Sequence, residues 1–293
     1  MVAAFVANGL GKALMLSSSN FAVAAFLEAL AKRDTRFLRV LSRSRERMDY
    51  MESVFSIHRW VADKTVAPEW AKKIMASNQG SSTLTLESLL LSAADVVAST
   101  LITAFDPRLL EKQFDLVVID ESSQISISNL IPSVKSCDKI VFAGDDRQLA
   151  PVIMDSGLHS SDLSFSYLDL LSKFGAPYAL LTENHRLPHE LSRFVSSTFY
   201  DGELRNGKER APKFKDVDSI YLRNPIIMLV DRGVAERANG NKSFFCRTEA
   251  DATMKVVEHL MALGVKSTQI TLLTGNNYYN FVLSVIIKCS WSY

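Results

Sequence analysis

Residues 114–152, FDLVVIDESSQISISNLIPSVKSCDKIVFAGDDRQLAPV, decide the fold. Two short apolar runs, Leu116–Ile119 and Lys139–Ala143, each end in polar residues, and an amphipathic segment separates them. The apolar positions of that segment are Ile125, Ile127, Leu130, Ile131 and Val134. The pattern predicts strand, helix and strand. Because ligands bind at the carboxyl ends of the strands in an open parallel sheet, the polar residues after each run are candidates for a site.

These polar residues suit the chemistry of a bound nucleotide. Asp120, at the end of the first strand, can hold Mg²⁺ through water, and Glu121 can orient or deprotonate an attacking water. Gln148, after the second strand, can reach a γ-phosphate. A helix cap is the alternative for the two acids, because negative charge stabilises a helix N-terminus. The GDDRQ sequence after the second strand favours the nucleotide site.

The segments DESSQ (120–124) and GDDRQLAPV (144–152) resemble motifs II and III of superfamily 1 helicases. The resemblance extends along nearly the whole chain and is to the helicases of nonsense-mediated decay, the regulator of nonsense transcripts type. It implies an α/β fold of two RecA-like parallel-sheet domains with a helical insert, both truncated. We expect the first domain at 1–178, with the insert at about 46–93, and the N-terminal part of the second at 179–293.

The resemblance also implies the cofactors and several residue roles. ATP and Mg²⁺ bind between the two domains in this family. Motif III includes Asp145, which is expected to support the loop that carries Gln148, the γ-phosphate sensor. The segment YALLTENHR resembles motif IV, and Arg186 is its arginine finger, with a structural pair to Glu183 or Glu190 as the alternative. The segment RTEA matches a motif near the nucleotide cleft, which makes Glu249 a candidate contact.

Two further motifs imply contact with single-stranded RNA or DNA. The run ALMLSSSNFAVAAFLEAL predicts a strand and a helix and resembles motif Ia, in which Ser19 and Asn20 touch the nucleic-acid backbone. A plain helix cap is the alternative for this turn and is compatible with contact. The strand predicted at Ala94–Thr100 resembles the next such motif, with Ser99 and Thr100 as contacts. The basic positions after a strand at Phe37–Leu41 form either a phosphate contact or, as we favour, a solvated face. They are Arg43, Arg45 and Arg47.

No phosphate-binding P-loop is present in the sequence. That loop needs GxxxxGK[ST] between a strand and a helix, but only one residue separates the glycines of Gly9–Lys12, and Ala13 follows the lysine at the start of a predicted strand. Motifs V and VI are also absent. We expect a gap in the first sheet where the family's P-loop strand lies, which would indicate that the chain is incomplete or that its first domain is unstable alone. We also expect negligible ATP hydrolysis by this chain. The alternative is a non-catalytic nucleic-acid- or protein-binding module derived from a helicase.

Composition limits the remaining function classes. A net charge of +1 over 293 residues gives no global basic field, so nucleic-acid binding has to be local. The three cysteines have no metal-ligand spacing, and His185 and His189 flank a proline, so zinc is not expected. A reduced cytoplasmic or nuclear setting follows from the cysteines, and no membrane is expected, since Ile270–Ile287 is a poor membrane span. The resemblance to the helicase family implies RNA-processing proteins as further partners.

The C-terminal part is predicted to alternate strands and helices. Glu249–Leu263 has the spacing of an amphipathic helix, and Gly264 suits its C-terminal cap. Strands are predicted within Tyr221–Asp231 and at Gln269–Thr274.

Overall fold

The computed structural model divides the chain into two compact units, Met1–Ala179 and Leu180–Tyr293. The residues that the structure describes are 1–47, 54–134, 137–152, 166–207, 227, 229, 236–237 and 244–273.

A five-stranded parallel sheet forms the centre of the first unit, in the order β2-β3-β1-β4-β5. Its strands are β1 (Ala13–Ser17), β2 (Phe37–Arg39), β3 (Val96–Thr100), β4 (Phe114–Asp120) and β5 (Cys137–Phe142). All of β1 is buried, which explains its continuous apolar run, whereas β5 lies at an edge and is only half-buried. The described strands pair without interruption, so the prediction of a gap within the sheet is wrong. The prediction failed because the order of strands along the chain does not reveal their order in the sheet.

Helices cover both faces of this sheet. They are α1 (Val2–Ala7), α2 (Asn20–Leu30), α3 (Arg43–Arg47), α4 (Ile57–Ala62), α5 (Glu69–Ser77), α6 (Thr83–Ala93), α7 (Pro107–Leu110), α8 (Ile127–Val134) and α9 (Tyr167–Lys173). Side chains alternate along β1, so Met15 packs with α2 on one face while Leu14 and Leu16 join a larger cluster on the other. That larger cluster contains α4 to α6, the predicted helical insert, where Trp60 and Trp70 meet edge to face at 5.7 Å.

Helix α8 connects β4 to β5, as the sequence predicts. Leu130 is buried, and so is Ile125 just before the helix, which confirms part of the apolar stripe. Ile131 is exposed, so its predicted place on the buried stripe is wrong. Neighbouring residues of a helix point about 100° apart, so Leu130 can face the sheet while Ile131 faces solvent.

The second unit has two helices and four two-residue strands among its described residues. They are α10 (His189–Phe199), α11 (Arg247–Ala262), the parallel pair β6 (Glu183–Asn184) and β7 (Arg205–Asn206), and the antiparallel pair β8 (Glu236–Arg237) and β9 (Phe244–Phe245). Helix α11 confirms the predicted amphipathic helix, and Gly264 follows it with a left-handed φ of 88°. The strand predicted at Gln269–Thr274 is wrong where it is described, because 267–269 form a 3₁₀ turn and 270–273 pair with none of the described strands. The strand within Tyr221–Asp231 falls outside the described residues, except for Ile227 and Leu229.

Across the described part of the chain, every helix is too short or too polar to cross a membrane.

Candidate nucleotide and nucleic-acid sites

The carboxyl end of β4 presents two adjacent carboxylates. Asp120 is the last residue of the strand, opposite Ser17 of β1, and Glu121 follows with a left-handed φ of 54°. This backbone conformation is uncommon outside glycine and turns the chain sharply out of the sheet. Neither carboxylate has a hydrogen-bond or ionic partner among the described residues. Two unpaired carboxylates at a strand end fit a hydrated cation better than a helix cap.

The turn after β4 and the loop after β5 are joined through their backbones. The N–H of Ala143 donates to the carbonyl oxygen of Ile119 at 2.8 Å, and the N–H of Ser122 donates to that of Ala143 at 3.0 Å. Gly144 comes next, so close to the turn that a Cβ atom there would lie 2.6 Å from the Oγ of Ser122. The segment that carries Gln148 is therefore anchored beside the two carboxylates.

Asp145 organises that loop. Its Oδ1 accepts the backbone N–H of Arg147 at 3.0 Å, and its Oδ2 accepts the side-chain amide of Gln148 at 2.8 Å. The backbone N–H of Gln148 also donates to the Asp145 carbonyl at 3.2 Å. An aspartate that bonds its own chain two and three residues on builds a local turn, and this one fixes the position of Gln148.

Three buried hydroxyls lie at the same edge and were missed by the sequence predictions. The Oγ atoms of Ser17, Ser122 and Ser123 are buried, and no described group hydrogen-bonds to them. A buried hydroxyl without a partner costs about 1–3 kcal/mol, so such groups tend to mark functional sites. The available signal was position, because Ser17 ends β1 and the other two follow the acids. Together with Asp120 these oxygens suit the hard, oxygen-preferring Mg²⁺ ion.

The second unit contains Arg186 and Glu249. Asn184 holds the loop of Arg186, because its Oδ1 accepts the backbone N–H groups of Arg186 and Leu187 at 3.0 and 3.1 Å. The guanidinium is exposed, and no described residue forms an ion pair with it; Glu183 instead pairs with His185. Glu249 lies in the first turn of α11, where its carbonyl oxygen accepts the Thr253 hydroxyl.

The four predicted nucleic-acid residues all have structural partners. Ser19 caps α2, since its Oγ accepts the N–H of Ala22 at 3.1 Å. The Oδ1 of Asn20 accepts a guanidinium hydrogen bond of 2.8 Å from Arg39. The remaining two lie at the end of β3, where Ser99 is buried and its hydroxyl donates to the Thr100 carbonyl, while the Thr100 hydroxyl bonds that of Thr103.

Arg39 was also missed by the sequence predictions. Only 2% of it is exposed, although it is an arginine within a strand. It donates to both the side chain and the backbone carbonyl of Asn20, at 2.8 and 3.2 Å. It therefore ties β2 to the start of α2, a contact between residues 19 positions apart that no local pattern announces.

The arginines of α3 lie next to a buried ion-pair cluster. Arg43 contacts Glu46 at 2.9 Å and Glu87 at 3.0 Å, and Arg108 contacts Glu46 at 2.7 Å and Asp106 at 2.8 Å. Burial opposes the charge of Arg108, but the hydrogen bonds to Asp106 and Glu46 outweigh it and raise its pKa. Arg43 thus has acidic partners rather than a purely solvated role, while Arg47 is exposed.

The segment at Gly9–Lys12 is not a phosphate site in the structure. It precedes β1, at the sheet edge opposite the carboxylates. The N–H of Lys12 donates to Oδ2 of Asp115 at 2.7 Å, and its ammonium donates to the Ser92 carbonyl. Gly11 packs against the Asp115 side chain so tightly that a Cβ atom would overlap it. An acid in this position would repel phosphate.

Comparison with known proteins supports the class that these motifs indicate. Two family models, both described as AAA domain, match residues 68–156 and 163–285. The chain is 31% identical over 278 residues to "ATP-dependent helicase upf1" of Schizosaccharomyces pombe, covering 89% of this chain and 30% of the relative. It is 30% identical over 281 residues to "Regulator of nonsense transcripts 1 homolog" of Drosophila melanogaster, covering 90% and 24%. The chain thus spans less than a third of the length of these relatives.

The parallel sheet, the paired motifs at the ends of β4 and β5 and the two AAA-domain matches define a superfamily 1 helicase core with the RecA-like α/β fold. Within that class the chain belongs to the regulator of nonsense transcripts type.

Proposed function

We propose that the chain is part of the ATP-dependent core of a helicase that moves on single-stranded nucleic acid. The observation that supports this most directly is the joining of the turn after β4 to the loop after β5 by backbone hydrogen bonds. Through those bonds, Asp120, Glu121 and Gln148 share one edge of the sheet. Phosphoryl transfer requires such a grouping of metal-binding, water-positioning and phosphate-sensing residues.

Each residue has a role in this proposal. Asp120 holds Mg²⁺ through water, and Glu121 positions or deprotonates the attacking water. Asp145 fixes Gln148, which senses the γ-phosphate. The magnesium ion supplies charge neutralisation for the nucleotide phosphates. In the second unit, Arg186 is the arginine finger, held on a loop that Asn184 stiffens.

Glu249 adds a nucleotide contact from the first turn of α11, and the nucleic-acid contacts come from the ends of β1 and β3. Ser19, Asn20 and Thr100 provide polar groups there, and the buried Ser99 positions Thr100 through its hydrogen bond. Further RNA-processing proteins are partners in this proposal, and the setting is cytoplasmic or nuclear.

A second candidate is a non-catalytic nucleic-acid- or protein-binding module derived from a helicase. The observation that favours it is the lack of a GxxxxGK[ST] segment in the 293 residues, because without that loop the β and γ phosphates have no backbone cradle. By itself the chain is expected to hydrolyse ATP negligibly.

The intact mass and peptide map of the protein in its own cells separate the two candidates. A species heavier than 32.6 kDa with a GxxxxGK[ST] peptide supports the helicase core. A species of 32.6 kDa that begins at Met1 supports the binding module.

Binding to single strands tests the feature that the helicase core shares with a nucleic-acid-binding module. We expect the chain to bind single-stranded RNA or DNA with a logarithm of affinity that falls linearly with the logarithm of salt concentration. If the chain binds neither single-stranded RNA nor single-stranded DNA at low salt, the proposed function is overturned.

A further inference from the structure

Two exposed apolar side chains flank the polar strand ends at the β1–β3 edge. Phe21 is 84% exposed and Ile102 is 77% exposed. Phe21 is the second residue of α2, which follows β1, while Ile102 belongs to the 3₁₀ turn Leu101–Phe105, which follows β3. The two strands are hydrogen-bonded neighbours, so both side chains originate from the same stretch of sheet edge.

The hydrophobic core does not account for Phe21. Helix α2 buries Val23, Leu27 and Leu30, a stripe at spacings of four and three residues. Phe21 precedes Val23 by two residues, which places it on roughly the opposite face of a helix with 3.6 residues per turn. One turn further along that face lies Ala25, itself exposed and too small to cover a phenyl ring. The ring is thus presented to solvent by the register of the helix.

The turn after β3 presents Ile102 in a comparable way. A 3₁₀ helix has three residues per turn, so residues three apart share a face. Leu101 and Ala104 are buried in the core, whereas Ile102 and Phe105 are both exposed. This turn therefore has one apolar face that packs in the core and a second apolar face that is exposed to solvent.

The two exposed side chains do not form one broad apolar patch. Helix α2 packs on the sheet face that contains Met15 and Ala98, while Leu101 packs with Leu16 on the opposite face. Between them lies the polar edge formed by the ends of β1 and β3. A protein partner favours a contiguous apolar surface of several hundred Å². A narrow polar strip with an apolar group on each side suits a ligand with a polar backbone and flat apolar side groups.

We propose that Phe21 stacks on a base of single-stranded nucleic acid, with the sugar-phosphate backbone along the strip of Ser19, Asn20 and Thr100 and with Ile102 as the opposite wall. This inference rests on the proposed function and adds to it a base-contacting residue. Stacking accepts any base, because every base has a π-face, so Phe21 gives grip without sequence preference. Helix α3, after the neighbouring strand β2, ends in the exposed Arg47, whose positive charge suits phosphate.

Fluorescent oligonucleotides test this stacking with the 293-residue chain. The probe is a single-stranded RNA that contains 2-aminopurine, whose emission falls when the base stacks. The comparison oligonucleotide is the same strand with abasic positions. We expect Phe21→Ala to weaken binding of the base-containing strand roughly ten-fold and to remove the quenching, while leaving binding of the abasic strand unchanged. Ile102→Ala should give a smaller loss on the base-containing strand.

Phe174→Ala is the matched control, since Phe174 is 85% exposed and also belongs to the first unit. Both phenylalanines are exposed, so neither substitution should alter the unfolding curve. Wild-type binding that Phe21→Ala does not weaken would overturn the stacking and leave the proposed function intact. Failure of the wild-type chain to bind any single strand would overturn both.

Discussion

Gly144 and Ser122 touch so closely that a Cβ atom on the glycine would lie 2.6 Å from the serine Oγ and 3.0 Å from its backbone nitrogen. Through this contact the loop that carries Gln148 lies against the turn that carries Asp120 and Glu121. The small size of Gly144 thus sets the distance between the phosphate-sensing and metal-binding sides of the candidate site.

Substitution of Gly144 by alanine should disturb this contact. We expect Gly144→Ala to lower the free energy of unfolding by about 1–3 kcal/mol, because the neighbouring atoms are largely backbone and cannot move aside without strain. Urea unfolding measures the change. In a Ser122→Ala background the nearest atom, Oγ, is gone, so the same substitution should be less destabilising. An equal loss in both backgrounds would mean that the Ser122 hydroxyl contributes nothing to the packing.

Removal of Arg108 should be strongly destabilising. Its side chain is only 10% exposed and contacts Glu46 and Asp106, so Arg108→Met leaves Asp106 without its cation and Glu46 with Arg43 alone. We expect a loss of about 3–5 kcal/mol in the free energy of unfolding. The control is Lys72→Met, which removes the exposed pair to Glu69 and should cost less than about 1 kcal/mol. Similar losses in the two variants would show that burial of the cluster has no energetic consequence.

Acidification should weaken the same cluster through Asp106. Burial raises the pKa of Asp106, but hydrogen bonds from Arg108 outweigh it and hold that pKa below the ordinary value of 3.8. As the pH falls, Asp106 therefore takes up a proton in the unfolded chain before it does so in the folded protein. Its contribution to stability is complete above about pH 3.8 and is lost as the pH falls through the lower pKa of the folded state. We expect the unfolding free energy of wild type to decline more steeply below pH 3.8 than that of Asp106→Asn, in chemical unfolding series at several pH values. Parallel curves for the two proteins would remove Asp106 from the acid response.

Two substitutions of Ser19 separate its cap from its proposed contact with nucleic acid. Ser19→Ala removes the acceptor for the Ala22 N–H and should lower the unfolding free energy by about 1 kcal/mol. Ser19→Asp keeps an acceptor and should retain stability, but its negative charge should repel phosphate and weaken single-strand binding. Wild-type affinity in the aspartate variant would exclude Ser19 from the nucleic-acid surface.

Local sequence patterns predicted the elements that carry the candidate nucleotide site. The apolar runs that became β4 and β5 and the amphipathic segment between them were recognisable because buried strands and helix faces impose their periods on the sequence. The position of Asp120 and Glu121 at the end of one strand, and of Gln148 in the loop after the next, followed from those runs. The order of the strands did not, since a parallel sheet can be assembled in several orders from the same local signals.

Contacts between distant residues account for what the sequence did not predict. The burial of Arg39 depends on Asn20 and that of Glu87 on Arg43, and neither pair leaves a periodic signal. The apolar run at Gln269–Thr274 has the composition of a strand, yet Gln269 lies in a 3₁₀ turn and 270–273 pair with no strand that the structure describes. A strand forms only where another strand completes its hydrogen bonds.

The most direct test of the central claim is steady-state ATP turnover by the 293-residue chain in the presence of single-stranded RNA and Mg²⁺. The Glu121→Gln variant is measured in parallel. That claim is that the chain holds the metal-binding and water-positioning side of a helicase nucleotide site without a phosphate-binding loop. We expect negligible turnover that does not differ between wild type and Glu121→Gln. Turnover by wild type that Glu121→Gln abolishes would contradict it.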